Sequence, residues 1–259
     1  MLPRRRIDSK DLGVASRGRS VVRDRWILVI LLLAIWQLVV SSGIVSSSLV
    51  ASPSSTVVGL VHLFRQGDLL SAFGQTLLIF LVAFAIATAG GTVAGIAVGY
   101  WKGAYDTVRP IVSAVNAVPK LVFLPVFVLL LGIGVEMQIG YAVLSAVTPV
   151  ILTVASGVRN VQPLLIESAK SLGAGKRDLF VKVVLPAAWP SVRTAVWYAQ
   201  EYALLAVVLT ELFISPVGIG HTVELYTAQS RPEDVFGILL ALTAAATAAS
   251  LVARRRFEE

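Results

Sequence analysis

Cysteine is missing from all 259 positions, so the chain has no disulfide framework, thiolate zinc site, haem-attachment motif or cysteine nucleophile. Histidine is nearly absent too. His62 and His221 lie in different halves of the chain, and a histidine-based metal site would need carboxylates to complete it. Charge is equally scarce: 14% of the residues are Asp, Glu, Lys or Arg, against about 25% in a soluble domain. That shortfall excludes an ordinary cytosolic enzyme. Apolar residues fill the space, at 56% of the chain, and the mean hydropathy is +0.82. A net charge of +7 could point to nucleic acid. The arginines, however, lack the interleaved aromatics on which bases would stack.

A helix that crosses a bilayer needs about 20 mostly apolar residues. Five stretches qualify, at 26–45, 77–99, 110–131, 139–156 and 195–214. A sixth, 236–253, is rich in Ala and Thr but stays uncharged until Arg254. The sequence therefore predicts an all-α integral membrane protein with six spans in one domain, 26–253, between a basic arm, 1–25, and a tail, 254–259. The first apolar stretch is longer than the core of a signal peptide and reads as an anchor, although Ser46 to Pro53 has the look of a cleavage site.

Basic residues orient the spans. Arg4, Arg5, Arg6, Lys10, Arg17, Arg19, Arg23 and Arg25 precede the first; Lys102 and Arg109 follow the second. Arg159, Lys170, Lys176, Arg177, Lys182 and Arg193 follow the fourth, and Arg254, Arg255 and Arg256 lie in the tail. The other side holds Arg65 and Arg231. An excess of Lys and Arg marks the cytoplasmic face, which places both termini inside.

The spans carry more than lipid-facing side chains. Gly91, Gly95 and Gly99 fall four apart, with Gly90 beside them, and such a stripe lets a second helix approach closely. It serves packing within the chain, the commoner use, or a seam between two copies. Pro119, Pro125 and Pro149 fall within the third and fourth spans, where each removes a donor and kinks its helix. Broken helices are tolerated where neighbours or a cavity satisfy the freed carbonyls, which suits a transport path. Lys120 and Glu201 lie about equally deep in the third and fifth spans. A lone charge at that depth costs about 2.5–3.5 kcal/mol or more, so the two are expected to pair with each other or to face a wet cavity beside the path. Trp197, Tyr198 and Tyr202 on the same span either line a pocket for a flat ligand or pack, which is the more frequent role of membrane aromatics.

The connection from 157 to 193 holds two short apolar periodicities. Val161, Leu164, Leu165, Ser168, Ala169 and Leu172 recur at helical spacing behind Pro163, and Gly173 and Gly175 break the run. A second segment puts Leu179, Phe180, Val183 and Val184 on one face and is expected to end at Pro186, with Pro190 beyond it. Such a basic helical hairpin fits a groove in a cytoplasmic partner or lies on anionic lipid.

Within it, Glu167-Ser168-Ala169, three residues, Gly173, nine residues and Val183-Val184-Leu185-Pro186 resemble the EAA loop of ABC-importer permeases. Every spacing is kept, with Ser168 for the middle Ala and Val183 for Ile. Ser52-Pro53-Ser54, Leu124-Pro125-Val126-Phe127, Gly132-Ile133-Gly134, Gly157-Val158-Arg159, Glu211 and Gly218-Ile219-Gly220 are similar to the nitrate/sulfonate/taurine-type branch of that family. The resemblance implies a type I ABC importer permease in the bacterial cytoplasmic (inner) membrane. Two permease chains, usually identical in this branch, would sit over two copies of an ABC ATPase subunit. An extracytoplasmic binding protein would deliver the solute, docking on the outer segments 46–70 and 215–234. Glu167, Ser168, Ala169, Leu172, Gly173, Leu185 and Pro186 would couple the chain to the ATPase, and alternating access would carry a small polar or anionic solute inward, such as a sulfonate, nitrate or a heterocyclic vitamin precursor. Lys120, Glu201, Trp197, Tyr198 and Tyr202 are the expected path residues. At 120 the family more often has Pro, at 201 Gly and at 202 Arg, so its substrates do not transfer directly.

No ATP site is expected in the chain itself. Gly175-Lys176 is the nearest approach to a phosphate loop, but Lys170 and Arg177 stand where Gly and Ser or Thr would be needed. ATP and Mg would be bound by the partner ATPase, and this chain would carry no cofactor, no metal and no catalytic residue. The alternatives are an ATP-independent ion-coupled carrier or channel using Lys120 and Glu201, and a membrane enzyme, for which Glu211, Glu224, His221 and Asp234 offer the one conceivable metal set.

Overall fold

A computed structural model describes the backbone of residues 14–258, with side chains from 24 to 248 except residue 68. Most of the basic arm and the tail lie outside the described side chains. Helices are the only regular elements among the described residues. In order they are α1 (Val14–Ser41), α2 (Pro53–Gln66), α3 (Asp68–Tyr100), α4 (Lys102–Ala117), a 3₁₀ turn (Lys120–Phe123), α5 (Leu124–Leu131) and α6 (Val135–Arg159). Then follow α7 (Pro163–Ser171), α8 (Lys176–Asp178), a π-turn (Leu179–Val184), α9 (Leu185–Phe213), α10 (Ile219–Ala228) and α11 (Pro232–Glu258).

Among the described residues, four stretches are long and apolar enough to cross a membrane: 24–41, 69–100, 135–159 and 176–213. The bent pair of α4 with the 3₁₀ turn and α5 makes a fifth if it is taken as one span. The expected sixth span, 236–253, falls on α11, whose side chains are described only as far as residue 248.

The centre of the bundle is α6, which packs against α3 on one side and α9 on another. Half of the α6 span is buried within the chain, against 6% of residues 24–41 of α1, which leaves the apolar surface of that stretch for lipid. Lipid tails are as apolar as leucine, so helices in a membrane are held by close packing rather than by escape from water. The sequence supplies that closeness with small residues. A Cβ on Gly91 would stand 2.6 Å from Val150 Cγ1, one on Gly95 2.7 Å from Val154 Cβ, and one on Gly99 2.5 Å from the Ala155 carbonyl oxygen. The glycine stripe thus seats α3 on α6 inside one chain. Ala195, Ala199, Ala203 and Ala206 play the same part along α9.

The prolines behave differently from one another. Pro119 breaks its span outright, turning the chain by 89°. Pro125 falls in the first turn of α5, where its missing donor has no partner to lose. Pro149 sits inside a continuous α6, so that expected interruption does not occur. Pro186 does not end a helix either. The π-turn of Leu179–Val184 precedes it and places it in the first turn of α9, so the helix runs unbroken from Lys176 to Phe213.

One end of the bundle gathers the loop residues expected on the cytoplasmic side. The guanidiniums of Arg109 and Arg159 lie 5.4 and 5.7 Å from the Tyr105 ring, and Tyr100 meets Phe180 edge-on at 4.8 Å. At the opposite end α2, starting with Ser52 as its cap and Pro53 in the first turn, lies along α11. There Asp234 is fully buried, 2.5 Å from Arg231 Nη2 and 3.3 Å from His62 Nδ1.

Candidate functional site

The break at Pro119 organises the candidate site. A residue before proline avoids the α conformation, and Val118 is accordingly extended at φ −72°, ψ 133°. In an unbroken helix the Asn116 carbonyl would accept a hydrogen bond from the Lys120 amide. Here the amide is displaced, and the Lys120 ammonium takes its place, donating at 2.9 Å to both Asn116 O and Asn116 Oδ1. Thr148 of α6 donates to the same Oδ1 at 3.1 Å. Lys120 Nζ also stands 5.7 Å from the centre of the Tyr202 ring on α9. The break is thereby stitched to both neighbouring helices through polar groups.

From Tyr202 the polar surface continues. Tyr198 meets Tyr202 edge-on, with ring centres 6.5 Å apart, and Tyr198 also lines a cavity of about 820 Å³. Thr153 and Ser156 of α6 and Asn160 just beyond it, with Ser191 and Thr194 of α9, supply most of its polar wall. Gln162 and Leu165, beside and within α7, close its far end. Lys120, Tyr202 and Tyr198 therefore form a connected track from the break to a hydroxyl-lined cavity above α7. The chemistry on offer is solvation and orientation of a polar solute.

The other expected path residues face elsewhere. Trp197 and Glu201 point to a separate cleft of about 550 Å³ between α9 and α11, with Gln200, Leu204, Leu242 and Thr243 among its walls. Lys120 and Glu201 form no ion pair within the chain: Asn116 and Tyr202 occupy the ammonium, and the Glu201 carboxylate has no hydrogen bond or ion pair among the described residues.

At the α7 end, the residues of the EAA-like motif form an exposed knob. Leu172 is 88% exposed and Leu164 69%. Glu167 and Ser168 are exposed on the same helix, Ala169 and Leu185 are half-buried, and Pro186 is exposed at the start of α9. Gly173 has φ +85°, a left-handed conformation that glycine adopts without steric cost, and its amide donates to the Lys170 carbonyl at 2.9 Å. The bend after α7 thus depends on that glycine.

The acids considered as a metal set do not converge, and no group of three metal-ligating side chains occurs among the described residues. Glu211 is instead a buried tie between helices. It accepts from Thr76 Oγ1 of α3 at 2.8 Å and from the Gly220 amide at 3.0 Å, while the Ile219 amide donates to Thr76 Oγ1 at 3.0 Å. A Cβ on Gly218 would collide with the Glu211 carboxylate, and Gly218 has φ +96°. Sequence reasoning set Glu211 beside Gly218-Ile219-Gly220 without seeing that the glycines leave room for the carboxylate. His221 and Glu224 pair locally at 3.8 Å.

Against known proteins, residues 91–255 match the family described as "Binding-protein-dependent transport system inner membrane component". SsuC of Bacillus subtilis, a permease protein named for aliphatic sulfonates transport, is 28% identical over 210 residues, 81% of this chain and 76% of that one. The taurine transport system permease protein TauC of Escherichia coli is 29% identical, covering 74% of this chain and 72% of its own. The nitrate import permease protein NrtB of Leptolyngbya laminosa is 27% identical over 91% of this chain and 87% of its own.

Proposed function

Because this chain belongs to the family of binding-protein-dependent transport system inner membrane components, we propose that it is the membrane-spanning subunit of an ATP-driven importer for a small polar or anionic solute. The observation that carries this reading is the family match over residues 91–255 together with an exposed, apolar α7 in the same stretch. An exposed knob with Leu164 and Leu172 at its surface suits the groove of an ATPase subunit, since an amphipathic helix laid in a groove is a recurring way to join two chains. Closure of two ATPases would then be transmitted through α7 and the continuous helix 176–213 to the break at Pro119.

In this reading the α7 end faces the cytoplasm and α11 supplies the remaining crossing. The grouping of Arg109 and Arg159 at the α7 end supports that orientation. The solute passes from a binding protein docked over α2 and α10 to the track formed by Lys120, Tyr202 and Tyr198, then to the cavity beside α7. The relatives named for taurine, aliphatic sulfonates and nitrate make those solutes the first to try.

The test is uptake into proteoliposomes holding the chain, its ATPase and its binding protein, with labelled taurine, ethanesulfonate and nitrate offered in turn. ATP-dependent uptake of at least one is expected, with none when the ATPase is left out. Uptake that survives without the ATPase would instead establish an ion-coupled carrier.

A further inference from the structure

Glu201 presents a problem that the single chain does not solve. It is exposed in the middle of the apolar helix 176–213, and among the described residues no cation or donor reaches its carboxylate. A charge at that depth is costly unless it pairs or faces a wet space. The cleft between α9 and α11 that Glu201 lines together with Leu204, Leu205, Val208 and Leu242 is mostly apolar and brings it no partner.

The helix geometry says where the missing partner lies. Successive residues of α9 turn by about 100°. Ala195, Ala199, Ala203 and Ala206 are buried against the bundle, which puts Glu201 on the opposite, outward side. Tyr198, 40% exposed, and Leu205, 55% exposed, lie on the helix surface between Glu201 and the Tyr202 edge where Lys120 sits. Lys120 and Glu201 therefore flank one exposed strip of α9, with opposite charges at its two edges. Lys120 has neutral neighbours in its own chain, Asn116 and Tyr202.

A two-fold contact matches a patch with itself, so that a residue at one edge meets the residue at the other edge twice. A patch with a cation at one edge and an acid at the other is self-complementary under that operation. We propose that a second copy of this chain packs on the Tyr198–Leu205 strip, and that Lys120 of each copy pairs with Glu201 of the other beside the solute track. This rests on the reading of the chain as a two-copy permease. It assigns Lys120 and Glu201 as positioning residues of the interface, and it explains why an ion pair expected from the sequence is missing within one chain.

The absence of cysteine makes the test direct. Lys120→Cys in a chain with one tag and Glu201→Cys in a chain with a second tag are co-expressed and treated in membranes with a short bismaleimide. A linked species carrying both tags is the expected result. In parallel, two differently tagged copies are recovered through one tag. Lys120→Glu or Glu201→Lys alone is expected to lower recovery of the second tag about tenfold, and the double exchange to restore it.

Native mass spectrometry of the purified complex separates the two levels of failure. Two copies per complex without the mixed-tag link, or a link formed only inside a doubly substituted chain, would overturn the pairing and leave the permease reading intact. One copy per complex would overturn both. A double exchange that recovers no better than the single reversals would likewise end the proposal, since an ion pair tolerates exchange of its partners.

Discussion

Gly91 and Gly95 leave no room for a side chain, whereas Gly90, their immediate neighbour, has nothing within 4 Å of where its Cβ would be. The contrast yields a paired prediction. Gly95→Ala would push a methyl to 2.7 Å from Val154 Cβ and 3.0 Å from the Ile151 carbonyl oxygen. Overpacking of this kind costs about 1–3 kcal/mol, so the melting temperature of the purified chain should fall. Gly90→Ala should leave it unchanged or raise it, because alanine is the better helix former where space is open. Equal losses from both would mean that the stripe does not seat α3 on α6. Two uses were open for this stripe from spacing alone, and only coordinates could tell Val150 and Val154 of the same chain from a second copy. The Glu211 tie was harder to read. A buried acid near two glycines is its full signal in the sequence, and its donor, Thr76, stands 135 residues away.

Among the elements, α7 is the one whose surface lacks an explanation within the chain. A leucine 88% exposed contributes little to folding, so Leu172→Glu should leave the melting temperature of the isolated permease nearly unchanged, within about 0.5 kcal/mol of stability. The same variant should lose most of its bound ATPase on purification. A drop in melting temperature would show Leu172 to be buried in the native membrane instead. Long apolar helices were legible in the sequence because they need only composition and length. Proline positions were less informative. Pro119 and Pro149 read alike in sequence, as kinks, and Pro186 as a helix end, yet one breaks a span, one lies inside a continuous helix and one opens α9 behind a π-turn. Whether a proline breaks a helix depends on what satisfies the carbonyls around it. At Pro119 the Lys120 side chain does so, and nothing in residue spacing announces that.

At the scale of the whole molecule, α3, α6 and α9 pack into a central trio with two attachments. One is the broken pair α4 and α5, which brings Lys120 to Tyr202, one turn of α9 from the Tyr198 that lines the cavity beside α7. The other is the α7 knob at the end of the same bundle. α7 joins the continuous helix 176–213 through the bend at Gly173, and that helix carries Tyr202 beside the break. The sequence reading expected Lys120 and Glu201 to pair or to face a wet cavity, and within the chain they do not pair. It grouped Lys120 with Glu201 by depth, whereas the side of α9 on which each lies separates them. Depth follows from counting residues; direction requires knowing which face of α9 the core consumes.

The account stands or falls on whether α7 seats an ATPase. The most direct measurement is affinity purification of the tagged chain from native membranes in mild detergent, with mass spectrometry of the proteins that accompany it. The account predicts an ABC ATPase subunit in the wild-type preparation. It should be lost from Glu167→Arg, with the permease itself recovered in equal yield. A wild-type preparation without an ATPase, or a Glu167→Arg preparation that keeps it in full, would contradict the account.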